Sequence, residues 1–266
     1  MARQIEIAAW RLACAAVLFF GVLTADDTLA QPSLNPVPKD CQAPGSIVAA
    51  DRPLINLASA LRERKKITIL AIGASSIGRR DSASGGYHAV IETFLERTFK
   101  GLDVTIINRG VSGELAIDAG ERIKTEVALT GAELVLWQLG TADALGLVPV
   151  EKFKESTRDT VTWLKQHKVD MILIGLRYAR GLATDPHYQS IRTAIAEIAK
   201  EQGILRIGRY EVVETIEKIK QQQGAPASEI ELGEADYSCM AEYLARAIAT
   251  GLFAKEQPAT VPRPRP

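Results

Sequence analysis

The chain has 266 residues with 32 basic and 32 acidic side chains, 47% hydrophobic and 24% charged residues. That usage excludes a disordered, collagen-like or miniprotein chain, and zero net charge leaves no electrostatic footprint for nucleic acid. The length suits one large α/β domain with a sizeable core. Its histidines are His88, His167 and His187, so any histidine-based mechanism has three candidates.

In chain order, residues 1–30 read as a signal peptide. Arg3 and Arg11 precede the apolar run from Leu12 to Ala25, and Thr28-Leu29-Ala30 supplies small residues before Gln31. Fourteen residues are short for a membrane span, which needs about 20. The expectation is a periplasmic or secreted protein, tethered to a membrane only if the segment is retained. Without residues 1–30 the formal charge is about +1, and two cysteines remain, Cys41 and Cys239. In an exported chain an even pair invites a disulfide; two buried thiols are the alternative. Residues 31–45 hold four prolines and read as an extended lead-in, 46–256 as the folded domain, and 257–266 as a disordered proline-rich tail.

Within the domain, five apolar runs read as strands buried on both faces: 67–73, 104–110, 134–140, 171–178 and 204–210. Helical patterns lie between them at 86–100, 114–129, 150–168 and 186–202, with two flanking helices near 46–65 and 235–253. This β-α alternation predicts a three-layer α/β/α sandwich on about five parallel strands, with ligands at the carboxyl ends of the strands.

Three loops follow those strand ends. After the first comes Gly73-Ala74-Ser75-Ser76-Ile77-Gly78, a strand-to-helix turn in which Ser75 is either a nucleophile or a plain turn residue. No GxGxxG or P-loop pattern is present, and no metal-ligand spacing, so neither cofactor nor metal is expected. After the second comes Asn108-Arg109-Gly110-Val111-Ser112-Gly113-Glu114, and after the third Gly140-Thr141-Ala142-Asp143.

Together with Tyr237-Ser238-Cys239 near the last helix, these blocks resemble the SGNH/GDSL hydrolase family, in particular its exported bacterial branch, over most of residues 67–250. The family comprises serine esterases and acyl hydrolases. The resemblance implies a flavodoxin-like sheet, Ser75 as nucleophile, and the backbone N–H groups of Ser75 and Gly113 in the oxyanion hole.

Two demanding positions depart from the family pattern. The third block is G-x-N-D in the family, whose Asn donates to the oxyanion, whereas here that position is Ala142. Losing one such donor typically costs about 10²–10³ in rate. The last block is D-x-x-H in the family. Counted back from Tyr237, its Asp falls on Ser228 and its His on Glu231, and no histidine follows His187. An unperturbed Glu has a pKa of about 4.3 against about 6.5 for His, so it is a far weaker base.

Substitute bases are Glu231 itself or His187 in the loop after the fourth strand, the alternative for His187 being a place in the first turn of a helix that starts near Pro186 and is capped by Asp185. His88, which opens the helix after the Ser75 loop, either approaches the pocket or packs at the helix start, and His167 reads as a solvated helix end. Arg79, Arg80, Arg109, Arg177, Arg180 and Arg209 also fall near strand ends, where they either hold an acidic glycan or phosphorylated head group or pair with the carboxylates of Asp81, Glu114, Asp143, Asp185, Glu211 and Glu231 on the same rim.

The resulting expectation is an exported esterase homologue with a degenerate catalytic set, binding a small-molecule, glycan or lipid acyl ester with weak or no turnover. The alternatives are an active ester hydrolase using Ser75 with His187 or Glu231, and a structural or partner-binding envelope protein. Fold analogy alone does not choose among them.

Overall fold

The computed structural model describes residues 37–41, 52–64, 66–73, 86–224, 226 and 228–254, which lie in one compact unit, Gln31–Pro266. The expected signal segment, the Ser75 loop and the proline-rich tail lie outside the described residues.

The β-rich runs form five strands: β1 Lys66–Gly73, β2 Asp103–Gly110, β3 Leu134–Gln138, β4 Asp170–Ile174 and β5 Leu205–Ile207. They make one parallel sheet in the order β2-β1-β3-β4-β5. The chain leaves β1 toward β2 on one side and continues from β3 on the other, so the carboxyl ends of β1 and β3 flank a topological switch point.

Eight helices are described: α1 Ile55–Arg64, α2 Gly86–Thr98, α3 Ala116–Thr130, α4 Thr141–Leu145, α5 Val150–Gln166, α6 Pro186–Gln202, α7 Arg209–Gln222 and α8 Glu229–Phe253. The period-2 pleat sends alternate strand residues to opposite faces. Ile67, Ile69, Leu134, Leu136, Ile172 and Ile174 pack against α1, α2, α7 and α8. Leu70, Ile72, Val135, Trp137, Met171 and Leu173 pack against α3, α5 and α6. Both faces are thus covered, which is why the strands read as continuous apolar runs rather than alternating ones.

The fold departs from the sequence expectation chiefly at the fifth strand. Residues 204–210 supply only three strand residues, and Gly208 then caps α7, a helix the sequence reading leaves out. Its apolar start, Tyr210-Glu211-Val212-Val213, follows the strand with one glycine between them, so the change of period falls inside what looks like a single run. The last helix also begins earlier than expected, at Glu229.

Two links tie α8 down. Cys41 and Cys239 form a disulfide, with Cα atoms 5.2 Å apart across a sequence separation of 198, and the Tyr243 hydroxyl donates to the Cys41 carbonyl. Arg209 at the start of α7 is 1% exposed and makes a two-pronged ion pair with Asp236, which is 2% exposed; its Nε donates to Oδ1 at 2.8 Å and its other prong to Oδ2.

Candidate active site

The carboxyl ends of β1, β2 and β3 are held together by backbone constraints that the glycines of the three blocks permit. Gly73 ends β1 at φ +137°, and a Cβ there would lie 2.3 Å from the Gln138 carbonyl oxygen of β3. No other residue type fits that approach. Gly73 pairs in register with Gly110, and the Gly73 carbonyl accepts from the Val111 N–H at 2.7 Å. Ser75, two residues beyond Gly73 in the chain, lies outside the described residues.

The second block is braced by side chains. Asn108 Oδ1 accepts from the Gly110 N–H at 3.0 Å, and Arg109 Nε donates to Glu126 at 3.0 Å. Glu114 is held by Arg122, whose Nε reaches Oε1 at 2.7 Å and whose second nitrogen reaches Oε2 at 2.5 Å. Arg122 also donates to the Arg109 carbonyl at 2.8 Å, so one guanidinium fixes both ends of the block. Gly113 adopts φ +75°, with no atom of the described residues within 4 Å of where a Cβ would stand, so its glycine serves the backbone turn.

The third block turns at Gly140, φ +95°, where a Cβ would meet Ile195 of α6 at 2.7 Å. Asp143 is 2% exposed, and its Oδ1 accepts the Ala116 N–H at 2.9 Å, satisfying an orphan donor at the start of α3. Burial raises its pKa above the ordinary carboxylate value, partly offset by backbone N–H groups. Its Oδ2 is buried with no hydrogen-bond partner among the described residues. The carboxylate thus joins the third block to the helix that follows the second. Ala142, expected from the sequence to replace the oxyanion amide donor, sits beside it in α4, half-exposed.

Ser228 is exposed and directly precedes α8. Glu231 lies in the first turn of α8, with its side chain outside the described set. His187 is in the first turn of α6, where Asp185 caps the helix by accepting from the Tyr188 N–H at 2.7 Å and Pro186 occupies the first turn, as expected. His167 closes α5 just before β4, at the opposite end of the sheet. Its Nδ1 lies 2.8 Å from the Trp163 carbonyl and its ring stacks on Trp163. Arg109, Arg180 and Arg209 do pair with carboxylates, but with Glu126, Glu217 and Asp236, which the helices α3, α7 and α8 bring to them, and not with the strand-end carboxylates expected. Glu114 pairs instead with Arg122, and Glu211 with Arg192 and Arg206; Arg79, Arg80 and Asp81 lie outside the described residues.

A cavity of about 540 Å³ wraps the carboxyl end of the edge strand β2. Its described lining includes His88, Asn108, Arg109, Gly110, Val111 and Arg122. His88, from the first turn of α2, also borders a small apolar void under α8, and its Nδ1 is buried with no hydrogen-bond partner among the described residues. Of the two readings open to His88, helix-start packing and approach to the pocket, the structure combines both, since the residue stands in the first turn of α2 and lines the cavity. Its place on the cavity wall comes from the packing of α2 across the end of β2, which no local motif encodes. Arg122 escaped notice for the same reason, since it reaches Glu114 across eight residues, from within α3.

Comparison with known proteins agrees with this geometry. An acetylxylan esterase from Geobacillus stearothermophilus, Axe2, superposes with a TM-score of 0.53 at 20% identity, covering 68% of this chain and 94% of its own. A G-D-S-L family protein from Desulfitobacterium hafniense DCB-2 gives 0.51 at 20% identity, covering 68% and 98%. TesA gives 0.54 at 18% identity, covering 68% and 97%. No curated protein sequence matches the chain. A sequence profile does match, over residues 40–254, and together with the five-stranded parallel sheet shared with these hydrolases it places the chain in the Non-GDSL lipase-like family, on the SGNH/GDSL hydrolase fold.

Proposed function

We propose that this chain is an exported, ester-binding member of its family whose catalytic set is degenerate, so that it binds an acyl ester of a carbohydrate or lipid and hydrolyses it slowly or not at all. The observation that carries this reading is the contrast between scaffold and chemistry. Gly73, Gly110, Gly140 and Asp143 keep the strand ends in a tightly specified arrangement beside an open cavity. The positions that supply an oxyanion amide and a base in the family pattern hold Ala142 and Glu231. Two of the Axe2 structures are of catalytic mutants, one replacing a histidine and one a serine. By analogy, a chain with no histidine beyond His187 lacks a base from its last helix. A serine hydroxyl without a base is a poor nucleophile.

A second reading, slow hydrolysis through a relocated base, rests on His88. It lines the cavity, whereas His187 is not among the cavity's described lining. Hydrolysis of a short activated ester from pH 4 to 9, with Ser75→Ala as control, separates the two. Turnover indistinguishable from the control supports the first reading. Turnover well above the control that disappears in His88→Ala supports the second.

A further inference from the structure

The described lining of the cavity at the end of β2 presents charge of one sign. Its described lining contains two guanidinium groups, an imidazole and an amide, from Arg109, Arg122, His88 and Asn108, and no carboxylate. Both arginines have carboxylate partners, but the pairs are oriented. Glu126 and Glu114 are 17% and 8% exposed, against 45% and 24% for Arg109 and Arg122. The negative ends sit behind the positive ends, so a group in the cavity meets guanidinium first, and Coulomb attraction weakens with distance from the hidden carboxylates.

The two arginines differ in what they have left to give. Arg122 commits all three nitrogens, to Glu114 and to the Arg109 carbonyl, and is a fixed positive charge. Arg109 commits Nε to Glu126 and Nη1 to the Asn108 carbonyl. Its Nη2 has no partner among the described residues and is the donor available to a ligand. A planar guanidinium with N–H groups to spare is suited to carboxylate or phosphate.

We infer that the ligand of this cavity carries an anionic group, a carboxylate or a phosphate, that is received by Arg109 against the fixed charge of Arg122. This rests on the reading that the site retains an ester ligand, and it narrows that ligand to acidic esters. His88 and Asn108 complete the polar wall, and Val111, 45% exposed, forms part of the lip.

Calorimetric titration of the full chain with three probes tests the inference: an acetylated galacturonide oligomer, a short-chain phosphatidic acid below its micelle concentration, and an acetylated xylo-oligosaccharide as the neutral ester. The expected result is that one anionic probe binds at least about tenfold more tightly than the neutral ester, a difference of about 1.4 kcal/mol. Preference for the galacturonide identifies a carboxylate, and preference for the phosphatidic acid a phosphate. The advantage should shrink at high salt, disappear in Arg109→Gln and survive in Arg109→Lys. Val111→Asp, which sets a carboxylate at the lip without touching the arginine network, should weaken the anionic probe and spare the neutral one. Equal binding of all three probes, or an advantage unchanged in Arg109→Gln and Val111→Asp, overturns the anionic assignment and leaves the ester-binding reading intact. Failure of all three to bind removes both.

Discussion

Breaking the Cys41–Cys239 bridge should cost this domain as much as the most damaging single side-chain truncations in its core. The bond closes a loop across a sequence separation of 198 residues. In the chain-entropy treatment, a loop of that size restricts the unfolded chain by about 5 kcal/mol at 25 °C. Both cysteines are buried, at 4% and 1% exposure, and Cys41 lies in the core cluster with Leu244 and Ile248 of α8. Native packing therefore holds the two ends together before the bond is counted, and serine at both positions keeps their size while removing the link. The Cys41→Ser/Cys239→Ser variant should lose about 3–5 kcal/mol in urea unfolding. For a domain of this size that corresponds to a fall in Tm of roughly 10–15 °C. Wild-type protein unfolded in the presence of reductant should reproduce most of the loss. A loss below about 1 kcal/mol in both experiments would refute the assignment of a large unfolded-state constraint to this bond.

Other consequences concern buried charge. Removing one partner of the Arg209–Asp236 pair, as in Asp236→Ala, should destabilise by about 3–5 kcal/mol, while Arg209→Met with Asp236→Leu together should come close to wild type; chemical denaturation of the three variants measures both. Asp143→Ala should cost about 1–3 kcal/mol, because the Ala116 N–H loses its buried acceptor, and Asp143→Asn should cost less. Burial raises the folded-state pKa of Asp143, so the folded state holds a proton that the unfolded chain releases near pH 3.9. Its contribution is therefore complete below that pH and is lost as pH rises through the folded value. Asp143→Asn should flatten this part of the stability profile, measured by urea midpoints from pH 3 to 7.

Some of this architecture is legible in the residues and some is not, for identifiable reasons. Strands covered on both faces announce themselves as apolar runs, so β1 to β4 and the layering follow from the sequence directly. β5 and α7 blur because only Gly208 separates a three-residue strand from a helix with an apolar first turn. The strand-end blocks are legible because their glycines answer steric demands, as Gly73 does against Gln138. Asp185-Pro186 is legible because capping is local. The cavity wall is legible only in part: Arg109 falls at a strand end and His88 opens the helix after the Ser75 loop, but Arg122 comes from within α3, and the three meet only when the edge of the sheet is built. The oriented ion pairs are equally hidden, since composition counts Glu114 and Glu126 as cancelling charges whatever their depth.

The central claim is that the scaffold persists while its proton-transfer and oxyanion groups are gone. Its most direct test is the rate of activated-ester hydrolysis by wild type, by Ser75→Ala, and by a variant carrying Ala142→Asn, Ser228→Asp and Glu231→His. The account predicts that wild type stays close to Ser75→Ala, while the triple variant gains at least about 10²-fold, the typical worth of the oxyanion donor alone. Wild-type turnover far above Ser75→Ala, with no gain in the triple variant, would contradict it.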